Sequence, residues 1–178
     1  MPLIVQDDNG TTPGANAYID VAFFKAYHDD RGNVYAPYTD PDIEKAIIRA
    51  TGYMDTRFAW KGYPVHMRRT DQQTAWPRSS CWDKYGAIVI GIPFEVKQAS
   101  AEYALRALTT VLQPDPVRDP SGAPVRKKLS KVDVIETSVE YGGAGAGASV
   151  VLAKYPAADA IIKAAGLVRA GGGTLVRA

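Results

Sequence analysis

Apolar residues recur along this chain at the spacing of a helix face. Ile43, Ile47, Ala50 and Met54 step by four, three and four, which places them on one side of an α-helix, and Ala46 and Tyr53 widen the stripe. Val96, Tyr103, Ala107 and Val111 repeat the pattern, with Ala104 and Leu108 beside them. Phe23, Phe24 and Tyr27 give a shorter helix its apolar side. End signals bracket each stretch. Asp20 is placed to cap a helix from Val21 to about Asp30, with Gly32 to end it. Asp40 followed by Pro41 opens a second helix running to about Arg57, and Pro93 opens a third to about Leu112. Pro156 starts a fourth, through about Ala165. The second and third helices are the expected core pair.

The connecting stretches add a different pattern. Residues 58–92 hold Trp60, Tyr63, Trp76, Trp82 and Tyr85, too long and too aromatic for a plain connector. Pro114, Pro116, Pro120 and Pro124 with Gly122 then forbid regular structure. Val125 to Leu129 and Val132 to Tyr141, separated by Ser130 and Lys131, read as a two-stranded hairpin, which alone would be marginal and so needs a neighbour. Residues 142–149 are a small-residue linker. The fold class expected is therefore mainly α: a small helical bundle with a β-hairpin, a long aromatic excursion loop and extended N- and C-terminal arms. A single domain spans 1–167, with the excursion at 58–92 and the hairpin at 125–141, followed by a flexible C-terminal arm at 168–178.

With 178 residues, 46% of them hydrophobic, the chain has material for one real core. The formal charge of +2 is the remainder of 21 basic and 19 acidic residues, which gives the chain as a whole no strong nucleic-acid footprint. One cysteine, Cys81, excludes an internal disulfide and a multi-cysteine metal site, and suits a reducing compartment. Residues 1–6 lack a basic region followed by an apolar core, and no apolar run approaches a membrane span, so the protein is expected to be cytosolic when made.

No converging set of nucleophile, base and charge stabiliser stands out, so the chain reads as a non-enzyme with no cofactor and no metal. His28, at a helix end, and His66, in a polar loop, read as solvated. The pairs Asp29-Asp30 and Asp7-Asp8 do not face one another and read as caps or solubility charges. The glycine tract at 142–149 lacks the strand, helix and downstream acid of a dinucleotide fingerprint.

Arg126, Lys127, Lys128 and Lys131 concentrate positive charge on the hairpin, as a solvated or acidic-partner face or as a contact to a nucleic-acid backbone. In the excursion, aromatic residues interleave with Arg57, Lys61, Arg68, Arg69 and Arg78. They read either as stacking platforms for single strands or as anchors of a protein interface, and Trp60, Trp76, Pro77, Arg78, Trp82 and Tyr85 are the candidate contacts. Gly171, Gly172 and Gly173 free the final Thr174, Leu175, Val176 and Arg177, whose alternation suits an extended peptide adding to a partner's sheet as much as a frayed end.

Several stretches together resemble a known family: residues 13–18 (Pro-Gly-Ala-Asn-Ala-Tyr), 48–55 (Ile-Arg-Ala-Thr-Gly-Tyr-Met-Asp), 75–78 (Ala-Trp-Pro-Arg), Ile92-Pro93, Tyr155-Pro156 and the terminal Leu175-Val176-Arg177. They are similar to the head-to-tail adaptor, or connector, proteins of tailed bacteriophages, a family that also carries the label DnaT-like single-stranded DNA-binding. The resemblance covers nearly the whole chain. It implies a helical virion protein of the phage neck, located in the host cytoplasm during assembly. It implies a ring of copies, a dodecamer, beneath the portal protein, joined on its other side to a tail-side neck or tail terminator protein. DNA passes through the lumen without specific binding, and no membrane is involved. By the same resemblance Thr174 to Arg177 form the portal-binding arm, and Trp76, Pro77 and Arg78 belong to the excursion as core or subunit contact. A bulkier insert at 79–90, with Trp82 and Tyr85, departs from the family pattern. The alternative function is that of a single-stranded DNA-binding replication accessory protein, supported by the basic hairpin and the arginine-bearing excursion.

Overall fold

The computed structural model describes residues 1–68, 71–114, 125–130, 137–141 and 155–169, the 125–130 and 137–141 strands as backbone alone. It is mainly helical: α1 (Val21–Asp29), α2 (Asp40–Arg57), α3 (Phe94–Thr109) and α4 (Pro156–Ala165). The short strands β1 (Tyr63–Pro64) and β2 (Arg78–Ser79) pair antiparallel, and so do β3 (Val125–Ser130) and β4 (Thr137–Tyr141). The chain forms two compact units. One comprises Met1–Leu112 and Ala153–Thr174, the other Gln113–Leu152 and Leu175–Ala178, which holds β3 and β4.

In the first unit α2 packs most extensively on α3, and α3 on α4. The stripe read from the sequence is the buried one: Ile43, Ala46, Ile47, Ala50, Tyr53 and Met54 face Val96, Ala99, Tyr103, Ala104 and Ala107 across a continuous apolar core. Ile162 of α4 and Leu167 after it join the same core. Leu108 is half-buried at its margin, and Val111 is exposed.

Helix ends follow local hydrogen bonding. Asp20 caps α1, its carboxylate accepting the Phe23 amide at 2.7 Å. For α2 the N-cap is Thr39, one residue before the expected Asp40, and Asp42 reaches back to accept from the Thr39 amide and hydroxyl, at 3.2 and 2.6 Å. Helix α3 stops at Thr109, short of Leu112, because Thr109 and Thr110 donate their hydroxyls to the Arg106 carbonyl and the backbone turns extended at Thr110. Gly166 ends α4 with a φ of 72°, and a side chain there would meet the Lys84 backbone within 3 Å.

The N-terminal stretch lies across the rest of the unit. Val5 bridges Ala17 in parallel, and the Gln6 amide group donates to Thr74 at 3.1 Å. After α4 the chain pairs with the start of the excursion, Trp60 opposite Val168, with Lys61 donating to Leu167 and Arg169 to Ala59, both at 2.9 Å. Val168 and Arg169, the first two residues of the expected arm, take part in this pairing, and residues 170–178 lie outside the described residues.

In the second unit β3 and β4 run in register from Lys127 opposite Glu140 to Ser130 opposite Thr137, with an irregularity between Val125 and Lys127. Of the second strand expected from Val132 to Tyr141, Thr137–Tyr141 is described as β4. Residues 131–136, the linker at 142–149, and Thr174, Leu175, Val176 and Arg177 lie outside the described residues.

Candidate functional site

The aromatic excursion divides into an inner and an outer half. Trp60, Trp76 and Pro77 are buried, with the two indoles packed edge to face at 5.6 Å between centroids. As candidate partner contacts these three are corrected. They fill the core, and both indole N–H groups lie buried without a hydrogen-bond partner among the described residues, a cost accepted for the apolar area they bury.

Arg78 is likewise a structural staple. Its guanidinium donates to the carbonyls of Lys61, Ala75 and Gly62 at 2.6, 3.0 and 2.8 Å, holding the two limbs of the excursion together. Asp55, at the end of α2, accepts from the Tyr18 hydroxyl and from the Ala75 amide at 2.9 Å, while Tyr18 accepts from the Trp76 amide at 3.2 Å. Burial and the Asp55 carboxylate together push the Tyr18 hydroxyl well above its ordinary pKa. Gln72 accepts from the His66 amide and donates to the carbonyls of Thr74 and Pro77. These groups line or adjoin a cleft of about 380 Å³ beside the last turn of α2, yet they are committed to holding the excursion's backbone.

The outer half is a short hairpin at residues 81–90. Asp83 and Gly86 make its turn: Asp83 Oδ1 accepts from the amides of Tyr85 and Ala87 at 2.8 and 2.9 Å, and Gly86 donates to the Asp83 carbonyl at 3.2 Å. Val89 donates to Cys81, and Trp82 bridges Ile88. The Lys84 amide donates to the Ala165 carbonyl at 3.1 Å, which ties the tip to the end of α4. This fixed backbone presents apolar side chains to solvent, with Trp82 47%, Tyr85 82% and Ile88 65% exposed. Ile90 and Phe94 follow, also exposed, and Phe94 packs edge-on to Phe23 at 6.0 Å. The Lys84 ammonium stands 4.9 Å from the Tyr85 ring centre. Sequence reasoning named Trp82 and Tyr85 but missed Ile88, Ile90 and Phe94; the Asp83-to-Gly86 turn spacing between Trp82 and Ile88 was the available signal.

One expectation about a single residue changes. His28 is buried, not solvated: its Nε2 donates to the Ala101 carbonyl at 3.1 Å, and Asn33 donates to Nδ1 at 3.0 Å. Phe24, Tyr27 and His28 share one face of α1, the spacing that would have revealed it. Burial lowers the His28 pKa. Cys81 is buried, and burial raises its thiol above the ordinary value, which disfavours the thiolate. Arg126, Lys127 and Lys128 are placed on β3 by its backbone, with Lys127 opposite Glu140. Among the described residues no group of three His, Cys, Asp or Glu side chains is placed to hold a metal, and no helix is long and apolar enough to cross a membrane.

A family model described as "Putative DnaT-like ssDNA binding protein" matches residues 1–178. The chain belongs to this DnaT-like family. No curated protein and no solved structure matches it. Among the described residues the exposed large aromatic rings are Tyr63, Trp82, Tyr85 and Phe94, while Trp60 and Trp76 are inside.

Proposed function

We propose that the protein is a structural assembly subunit, a head-to-tail adaptor of the phage neck. In this reading copies form a ring beneath the portal, Thr174 to Arg177 engage the portal protein, and the opposite side meets a tail-side protein. The observation that carries it is the 81–90 hairpin. An ordered loop, pinned to α4 through Lys84 and Ala165, that holds Trp82, Tyr85 and Ile88 in solvent supports a role in protein contact. The commitment of Asp55, Gln72 and Arg78 to internal hydrogen bonds supports a scaffold rather than a reaction at the neighbouring cleft.

The second reading is single-stranded DNA binding. The family description favours it, and exposed Tyr85 beside the Lys84 ammonium supports it with a ring for base stacking and a cation for phosphate. Fluorescence anisotropy with single-stranded oligonucleotides at physiological salt separates the two. The adaptor reading expects weak binding that does not tighten with oligonucleotide length. Tight, length-dependent binding with a steep salt slope, lost in Tyr85→Ala, would replace it with the DNA-binding one.

A further inference from the structure

The 81–90 hairpin is held to the body at two points. At its tip the Lys84 amide donates to the Ala165 carbonyl at 3.1 Å. At its base, where the chain returns toward α3, the Ile92 amide donates to Asp8 Oδ1 at 3.0 Å, across 84 residues of sequence. Gly91 allows this close approach: its φ is 71°, and a side chain there would meet the Asp8 side chain at 2.9 Å. The Lys97 ammonium stands 3.8 Å from the same carboxylate oxygen.

Asp8 is itself placed by a closed turn. Asp7 accepts from the Thr11 amide at 2.6 Å and from the Thr11 hydroxyl, and the Gly10 amide donates to the Asp7 carbonyl at 3.2 Å. The turn is seated on the inner half of the excursion. His66 Nε2 donates to the Asn9 carbonyl at 3.1 Å, and a side chain at Gly10 would press on Gln72 and Pro77. The adjacent aspartates therefore do different things: Asp7 closes the turn, and Asp8 reaches out of it.

We infer that Asp8 is the positioning residue of the hairpin. Through it the 7–12 turn carries the fixed position of the packed inner half to the base of the outer half, and so sets the direction in which Trp82, Tyr85 and Ile88 face a partner. The competing role is a cap for α3, whose N-cap residue, Pro93, makes no side-chain cap bond. The geometry favours the hairpin, because the amide that Asp8 accepts belongs to Ile92, ahead of the N-cap, and is not one of the helix's own free amides. The Asp8 side chain is 65% exposed, so its bond contributes little to the whole fold and acts on the local pose of the segment it holds. The inference rests on the assembly reading and names the residue that orients its contact surface.

The test is residue-resolved hydrogen exchange of the full chain in Asp8→Ala and Asp8→Asn, with incorporation of each variant into particles. Asparagine keeps the acceptor oxygen and removes the charge. In Asp8→Ala the Val89 and Ile92 amides are expected to exchange about tenfold faster, with α2 and α3 unchanged and incorporation lost. Asp8→Asn is expected to restore both. Unchanged exchange at the two amides, a rise confined to the first turn of α3, a rise spread evenly over the fold, or no rescue by asparagine overturns the inference. So does normal incorporation of Asp8→Ala where Tyr85→Ala is excluded. If exchange is unchanged and Tyr85→Ala is excluded from particles, the adaptor reading stands and the role of Asp8 falls. If exchange rises and is rescued as expected while Tyr85→Ala enters particles normally, Asp8 holds the hairpin and the contact role given to the hairpin falls.

Discussion

Arg57 and Asp159 lie 102 residues apart in the chain, and Arg57 Nη2 stands 2.6 Å from Asp159 Oδ2 with both side chains largely buried. Arg57 closes α2 and Asp159 lies in the first turn of α4, so each charge also complements its own helix dipole. Tyr53 accepts from Arg57 at 2.7 Å, and Tyr103 of α3 donates to the other Asp159 oxygen. Burial first, and the hydrogen bond to Asp159 next, push the Tyr103 hydroxyl far above its ordinary pKa, and burial raises Tyr53 to about 12. One polar cluster therefore joins three helices inside an apolar core.

Removing Asp159 takes away the carboxylate that Arg57 Nη2 and the Tyr103 hydroxyl both reach, in a largely buried site. Asp159→Ala is expected to cost about 3 to 5 kcal/mol in urea denaturation. A loss within about 0.5 kcal/mol would mean that α4 is held by apolar packing alone.

His28 sets a pH dependence. Its folded pKa lies below the ordinary value of 6.5, so it stays neutral in the fold while the unfolded chain takes up a proton. Stability from this residue is full above pH 6.5 and is lost as pH falls through the lowered folded value. Melting temperature followed downward from pH 7 should drop less in His28→Gln than in the parent chain. Parallel curves for the two would contradict it.

The excursion's two halves should separate in stability measurements. Trp76→Ala opens a cavity in a fully buried site and is expected to cost about 3 to 5 kcal/mol. Tyr85→Ala, at an exposed turn, should stay within about 0.5 kcal/mol of the parent and lose partner binding instead. Equal losses in both would erase the distinction between inner packing and outer contact.

Much of the fold was legible because it is periodic. The Ile43 to Met54 stripe, the Pro41 and Pro156 starts and the α2–α3 core pair all follow from a repeat that only a helix face satisfies. The excursion has no period. Nothing in the spacing of Trp60, Trp76, Trp82 and Tyr85 distinguishes a ring packed under Arg78 from one held out on a turn, and that choice is made by contacts far apart in sequence, such as Asp55 with Ala75 or Lys84 with Ala165. His28 was misread because the adjacent Asp29 and Asp30 are exposed and mask its place on the Phe24 and Tyr27 face.

Truncation tests the arm. The apolar core ends at Leu167, and Val168 and Arg169 complete its pairing with the excursion. Deleting residues 171–178 should leave the melting temperature unchanged and prevent attachment to the portal. Normal recruitment of the truncated protein to DNA-filled heads would refute the arm's role.

The central claim is tested most directly by locating the protein in purified phage particles, by electron microscopy of virions carrying a tagged copy. The account predicts label at the head-to-tail junction of parent particles, and tailless, DNA-filled heads when Tyr85 is replaced by alanine. Label absent from intact virions, with the protein found instead on replicating single-stranded DNA, would contradict it.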